Sequence, residues 1–75
     1  MNIENPAFNS AVVKINRIFQ ALEHHKEEKN WERFSQLDDE VNLLLVGMRM
    51  ADIGFADKVL KAAQEKAKAR MLRAA

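Results

Sequence analysis

Residues that interrupt helices are almost absent from this chain, which has one proline and two glycines among its 75 residues. It also has no tyrosine and no threonine, both of which favour β-strands. Alanine, leucine, lysine, glutamate and arginine are abundant, and these residues favour helices. Apolar residues make up 48% of the chain and charged residues 31%, a balance typical of a folded domain. The composition and length therefore predict an all-α protein with a single helical domain, residues 1–75.

The spacing of the apolar residues predicts three helices, at about residues 6–29, 31–52 and 55–73. Asn30 is suited to cap the second helix, because its side chain can accept a hydrogen bond from the first turn. Gly54 can either end the second helix or lie inside one long helix, where a glycine costs only about 1 kcal/mol. The expected architecture is an antiparallel three-helix bundle, or a helical hairpin with a long third helix.

The second predicted helix has apolar residues on two faces. Its main stripe alternates steps of three and four, as in the seams of antiparallel bundles, and consists of Phe34, Leu37, Val41, Leu44, Leu45 and Met48. Leu43, Val46 and Met50 form a second patch on the opposite side. A helix that is apolar on two faces is buried on two sides. We therefore expect either the third helix or another chain to cover this patch.

The apolar stripe of the third predicted helix is thin, because half of its members are alanines. It consists of Ile53, Ala56, Val59, Leu60, Ala63, Ala67, Met71 and Ala74. Such a stripe either packs very closely or accepts a bulkier partner. The residues predicted to bind a partner are accordingly Leu43, Val46, Met50, Val59, Leu60 and Met71.

The small size of the chain predicts self-association or docking onto a partner. Chains of this length bury only about 60% of their unfolded surface, and the absence of cysteine removes disulfides as a source of stability. The thin third stripe and the two apolar faces of the second helix lead us to expect a homodimer. The charges are also unevenly spread: residues 31–57 carry two basic and six acidic side chains, whereas residues 58–75 carry six basic and one acidic. These segments should attract one another within the fold or between subunits.

No combination of residues predicts a catalytic, cofactor or metal site. His24 and His25 are adjacent, so their side chains should diverge by about 100° around a helix, and no third histidine is present. The carboxylates of residues 38–40 also fan around the helix and cannot converge on one ion. Neither serine has a histidine at helical spacing that could activate it. We therefore expect a protein that is not an enzyme and has no cofactor.

The basic carboxy-terminal segment offers an alternative, nucleic-acid binding through Lys66, Arg70 and Arg73. These side chains flank the apolar stripe, so solvated long side chains packed along the helix are the expected arrangement. No stretch approaches the ~18 apolar residues of a membrane span, and we expect a cytoplasmic protein that does not bind membranes. Trp31 is expected to seal the end of the first hairpin over Phe34.

Three short stretches, Ala21-Leu22, Asn30-Trp31-Glu32 and Gln36-Leu37-Asp38, resemble flagellar export chaperones of the FliT type over roughly residues 15–50. In that family the second helix opens with a tryptophan beside acidic residues, followed by a Leu-Asp or Leu-Glu pair and apolar seam positions. The residues that match this pattern are Trp31, Leu37, Asp38, Val41 and Leu44. The resemblance implies a small helical bundle that holds a secreted flagellar subunit and presents it to the export apparatus.

The sequence thus predicts a non-enzymatic interaction protein, a chaperone or adaptor that binds an amphipathic helix of another protein. Two alternatives remain open at this point. One is a small nucleic-acid-binding regulator that uses the basic carboxy-terminal helix. The other is a purely structural, homo-oligomeric accessory protein.

Overall fold

The computed structural model describes residues 6–74, which form three helices. These are α1 (Pro6–Glu27), α2 (Trp31–Ala51) and α3 (Ile53–Ala74). No strand occurs in this part of the chain. All three pairs of helices pack against each other, so the prediction of an all-α three-helix bundle is confirmed. None of the three helices is long and apolar enough to cross a membrane.

A tight reversal joins α1 to α2. Lys29 adopts a positive φ of 58°, the left-handed conformation that commonly ends helices. The backbone N–H of Asn30 donates to the carbonyl of His25 at 2.9 Å, and that of Lys29 to the carbonyl of Lys26 at 3.1 Å, which is the Schellman pattern. The Asn30 side chain then accepts a hydrogen bond from the backbone N–H of Arg33 at 3.3 Å. The predicted Asn30 cap is therefore confirmed.

The break between α2 and α3 lies at Asp52. This residue is extended (φ −163°, ψ 103°), and its side-chain Oδ1 accepts a hydrogen bond from the backbone N–H of Phe55 at 3.0 Å. Asp52 therefore caps α3. Gly54 lies in the first turn of α3 without a positive φ, so the aspartate and not the glycine makes the break. Because of this break, α3 folds back onto its own chain.

The core lies along the line where the three helices meet. Its buried residues are Val12, Ile15, Ile18, Val41, Ala56, Val59 and Ala63. Around them pack partly buried residues such as Phe8 and Phe55, whose rings meet edge to face with centroids 6.0 Å apart. Ala56 and Ala63 are essentially inaccessible, so the thin stripe of α3 packs closely against α1 and α2. Val59 has no exposed surface and is a core residue, which removes it from any surface that a partner can reach.

Candidate functional site

The second apolar patch of α2 remains uncovered in the folded chain. It continues into the first residue of α3, and the exposed fractions of its four members are Leu43 73%, Val46 54%, Met50 83% and Ile53 65%. We call these four residues the outer face. Leu43, Val46 and Met50 follow one another at steps of three and four residues on α2, the spacing of a coiled-coil seam. Ile53 lies beyond the break at Asp52 and joins them because it lines the same groove as Val46 and Met50. The four side chains therefore form one apolar surface.

The outer face lies opposite the core side of α2, which explains why α3 cannot cover it. At 100° per residue, Val46 points about 140° away from buried Val41 and about 160° away from Leu44. Leu44 packs against the core together with Met48. Because α1 and the body of α3 pack against that inner side, Leu43, Val46 and Met50 remain exposed.

Gly47 lies beside the outer face and has no role within the fold. It is exposed, it lies inside α2, and a Cβ atom placed on it would meet nothing within 4 Å among the described residues. A glycine inside a helix costs roughly 0.5–1 kcal/mol relative to alanine. The position is four residues after Leu43 and three before Met50, so the glycine lowers the surface between two large apolar side chains. A second backbone can approach α2 closely there.

Charged groups border the outer face. Arg49 Nη2 lies 3.4 Å from Asp57 Oδ1, and both side chains are more than half exposed. These two residues and three members of the outer face line a shallow groove at the α2–α3 junction. Asp39 is exposed one turn before the outer face begins, and Asp52 is exposed next to Ile53. Three aspartates and one arginine therefore border the outer face, so its surroundings are acidic.

The structure does not bring the six predicted partner-binding residues together. Leu43, Val46 and Met50 lie on the outer face, whereas Leu60 is half-buried and Val59 is buried. Met71 is exposed beside Leu72 near the end of α3. Met71 lies eighteen residues after Ile53, about 27 Å along the helix. Ile53 is the member of the outer face that the sequence did not predict, because it lies beyond the break at Asp52, across which helical spacing gives no relation to Met50.

Arg70, one of the three predicted phosphate-binding residues, is used within the fold. Its guanidinium donates to Glu23 Oε2 at 2.9 Å and also to Asn16 Oδ1. Its side chain is only 26% exposed. Lys66 and Arg73 are exposed. The basic surface near the end of α3 is therefore smaller than the sequence suggested, because Arg70 donates hydrogen bonds to α1 and is largely shielded from the solvent.

His24, His25 and Glu28 converge at the end of α1, which their spacing did not predict. His24 Nε2 lies 3.2 Å from Glu28 Oε1, and the two imidazole centroids are 5.4 Å apart. One potential ligand atom from each of the three residues lies within 4.8 Å of the others. The signal in the sequence was the i,i+4 relation of His24 to Glu28, which places a carboxylate over an imidazole.

Trp31 does not seal the hairpin as expected. Its ring packs edge to face on Phe34, with centroids 5.7 Å apart, but more than half of the side chain is exposed. The first residue of α2 lies at the extreme end of the bundle, where α1 has already ended. The contact with Phe34 was predicted correctly, whereas the burial was not.

The fold and its exposed stripe define a small all-α three-helix bundle with an uncovered apolar surface. A scan of protein-family models, a search of curated proteins and a search of solved structures each found no match to this chain.

Proposed function

We propose that this chain is a non-enzymatic interaction protein that binds an amphipathic helix of another protein on the outer face. The observation that carries the proposal is the exposure of four large apolar side chains, Leu43, Val46, Met50 and Ile53, on one surface. The core is already closed without them. Contiguous exposed apolar surface of this kind marks interaction sites in soluble proteins.

A helix is the occupant that best fits the shape and spacing of the outer face. The steps of three and four residues match the seam between two packed helices. Gly47 lets the partner backbone come close, and Met50 supplies a flexible side chain that adapts to different partners. Because the surroundings are acidic, the favoured partner helix has an apolar stripe flanked by lysine or arginine.

The test is affinity capture from bacterial lysate, washed at high salt, with matched baits. Val46→Asp places a charge in the centre of the outer face. Val13→Asp is the control, because Val13 is also an exposed valine within a helix, but on α1. We expect proteins retained by the unaltered chain and the Val13 variant to be lost with the Val46 variant. For a helix peptide from such a protein, affinity should fall at least about 30-fold, as for a central hot spot.

Retention of the same proteins by the Val46 variant would contradict the proposal. Capture of nucleic acid that is released at high salt would also contradict it, and would assign binding to Lys66 and Arg73 instead.

The more specific form of the proposal is a cytoplasmic export chaperone whose partner is a secreted flagellar subunit. Its support is the resemblance carried by Trp31, Leu37, Asp38, Val41 and Leu44. In the fold, Val41 is buried and Leu37 and Leu44 are half-buried, so these three serve the bundle. The more accessible residues of the pattern are Trp31 and Asp38. Identification of a flagellar export component among the proteins lost with Val46→Asp would support this form.

A second copy of the chain is the other occupant that an observation favours. The end of α3 exposes Met71 and Leu72 between the basic residues Lys68 and Arg73, a surface complementary to the acidic, apolar outer face. In a two-fold dimer, each α3 end would lie on the outer face of the other copy. Sedimentation velocity distinguishes the two occupants. A homodimer should dissociate with either Val46→Asp or Leu72→Asp, whereas a binder of other helices should be monomeric from the start.

A further inference from the structure

We propose that His24, His25 and Glu28 form a binding site for one Zn²⁺ ion at the carboxyl end of α1. His24 Nε2 and Glu28 Oε1 are 3.2 Å apart, close to the roughly 3.3 Å that separates two ligands around a tetrahedral zinc with bonds of about 2.0 Å. All three donor atoms lie within 4.8 Å of one another. Binding of one ion would require side-chain rotations that shorten the remaining distances among the three donors.

A second observation points to a ligand at this place. The Nδ1 atom of His25 is buried and has no hydrogen-bond partner among the described residues. Buried polar atoms in native proteins nearly always have a partner, since leaving one unpaired costs about 1–3 kcal/mol. The fold therefore leaves an imidazole nitrogen unsatisfied in a ring that lies beside the other two donors.

The chemistry of the donors favours a transition-metal ion over magnesium or calcium, and zinc is such an ion. Two imidazoles and one carboxylate are the ligands of zinc sites with three protein donors, in which water takes the fourth position. Magnesium and calcium prefer oxygen ligands alone. The site also lies at the carboxyl end of α1, where the helix dipole favours a positive charge. Lys26 and Lys29 oppose binding by charge, and Glu27 and Glu28 offset them.

Zinc at this site would join residues one turn apart, immediately before the reversal at Lys29. Because it would bind the folded chain and not the unfolded one, it would stabilise the end of α1. The site is separate from the outer face, so this inference does not depend on the proposed function.

The test is isothermal titration of the full chain with zinc chloride. We expect one zinc per chain with an affinity in the micromolar range, and no binding by the variant His24→Gln/His25→Gln, which removes both histidines of the chain. Glu28→Gln should weaken binding at least about tenfold. The matched control is Glu27→Gln, which removes the same charge from the neighbouring residue and should leave the affinity within about twofold. Zinc should raise the melting temperature of the unaltered chain and not that of the double histidine variant.

Equal weakening by Glu27→Gln and Glu28→Gln would overturn the proposal, because binding would then follow net charge rather than coordination. A stoichiometry of one zinc per two chains would overturn it as well, in favour of an ion shared between copies. Circular dichroism of each variant verifies that the helices are retained, so that loss of binding reports on the ligands.

Discussion

The two sides of α2 carry the same kinds of side chain in opposite environments. On the inner side Val41 is 4% exposed, whereas on the outer side Val46 is 54% exposed. The two valines are five residues apart on one helix, so local sequence and helix propensity do not distinguish them. The pattern of apolar residues therefore identifies two apolar faces of α2. The arrangement of the other helices decides which of these faces is buried in the core.

The outer side of α2 also differs between its two halves. In the first half, the positions in line with the outer face are the exposed polar residues Glu32, Gln36 and Asp39, as expected for a helix facing water. In the second half, the corresponding positions are occupied by the apolar residues of the outer face. This boundary within one helix indicates that the apolar residues are localised, and it supports a role for them beyond folding.

The largest expected effect that tests the comparison between the two sides of α2 is a loss of stability. Val41→Asp buries an unpaired carboxylate and should lower the free energy of unfolding by about 4 kcal/mol or more, enough to unfold a chain this small. Val46→Asp leaves its carboxylate in water and should cost less than about 1 kcal/mol, chiefly from helix propensity. Urea unfolding monitored by circular dichroism measures both.

Similar losses of stability for the two valine variants would show that the outer face is part of the core. The comparison between the sides of α2 would then fail, and the docking proposal with it.

A smaller effect on stability tests the contrast between an inward-facing and an exposed side chain of the same type on α3. Arg70 is turned inward and donates to Glu23 and Asn16, whereas Arg73 is exposed near the helix end. Arg70→Ala should lower the free energy of unfolding by about 1–2 kcal/mol, because two hydrogen bonds of a charged group are lost. Arg73→Ala should change it by less than about 0.5 kcal/mol. Equal effects of the two substitutions on the urea midpoint would contradict the inward role of Arg70.

The elements of the fold were readable from the sequence because each helix has its own periodic stripe. The cap at Asn30 and the core positions Val41, Ala56 and Val59 follow from that periodicity and from side-chain chemistry. The sequence left open whether Gly54 ends the second helix, as glycine commonly does, or lies inside one long helix. The signal that decides it is Asp52, whose side chain caps the next helix. Aspartate before an apolar helix start was the readable clue.

The candidate site was less predictable, because exposure depends on how the helices are rotated about their axes. Val59 and Met71 lie on the same predicted stripe of α3, but Val59 is buried at its centre and Met71 is exposed near its end. The convergence of His24 and His25 likewise depends on side-chain rotamers at the end of α1. Periodicity at 100° per residue assigns a face, and it does not determine the distance between two atoms.

The smallest effect on stability gives the sharpest test of the outer face. Gly47→Ala should raise the free energy of unfolding by roughly 0.5–1 kcal/mol, because alanine favours the helix and its Cβ meets open space. The same methyl group would stand between Leu43 and Met50, where we infer that a partner backbone approaches. Affinity for a captured helix should therefore fall, by about tenfold if the loss is 1.4 kcal/mol.

Ala51→Ser, another small change on an exposed position of α2, serves as the control and should leave affinity within about threefold. A Gly47→Ala variant that gains stability and loses affinity would show that the glycine is required for binding and not for folding. Unchanged affinity would show that the glycine has no part in docking.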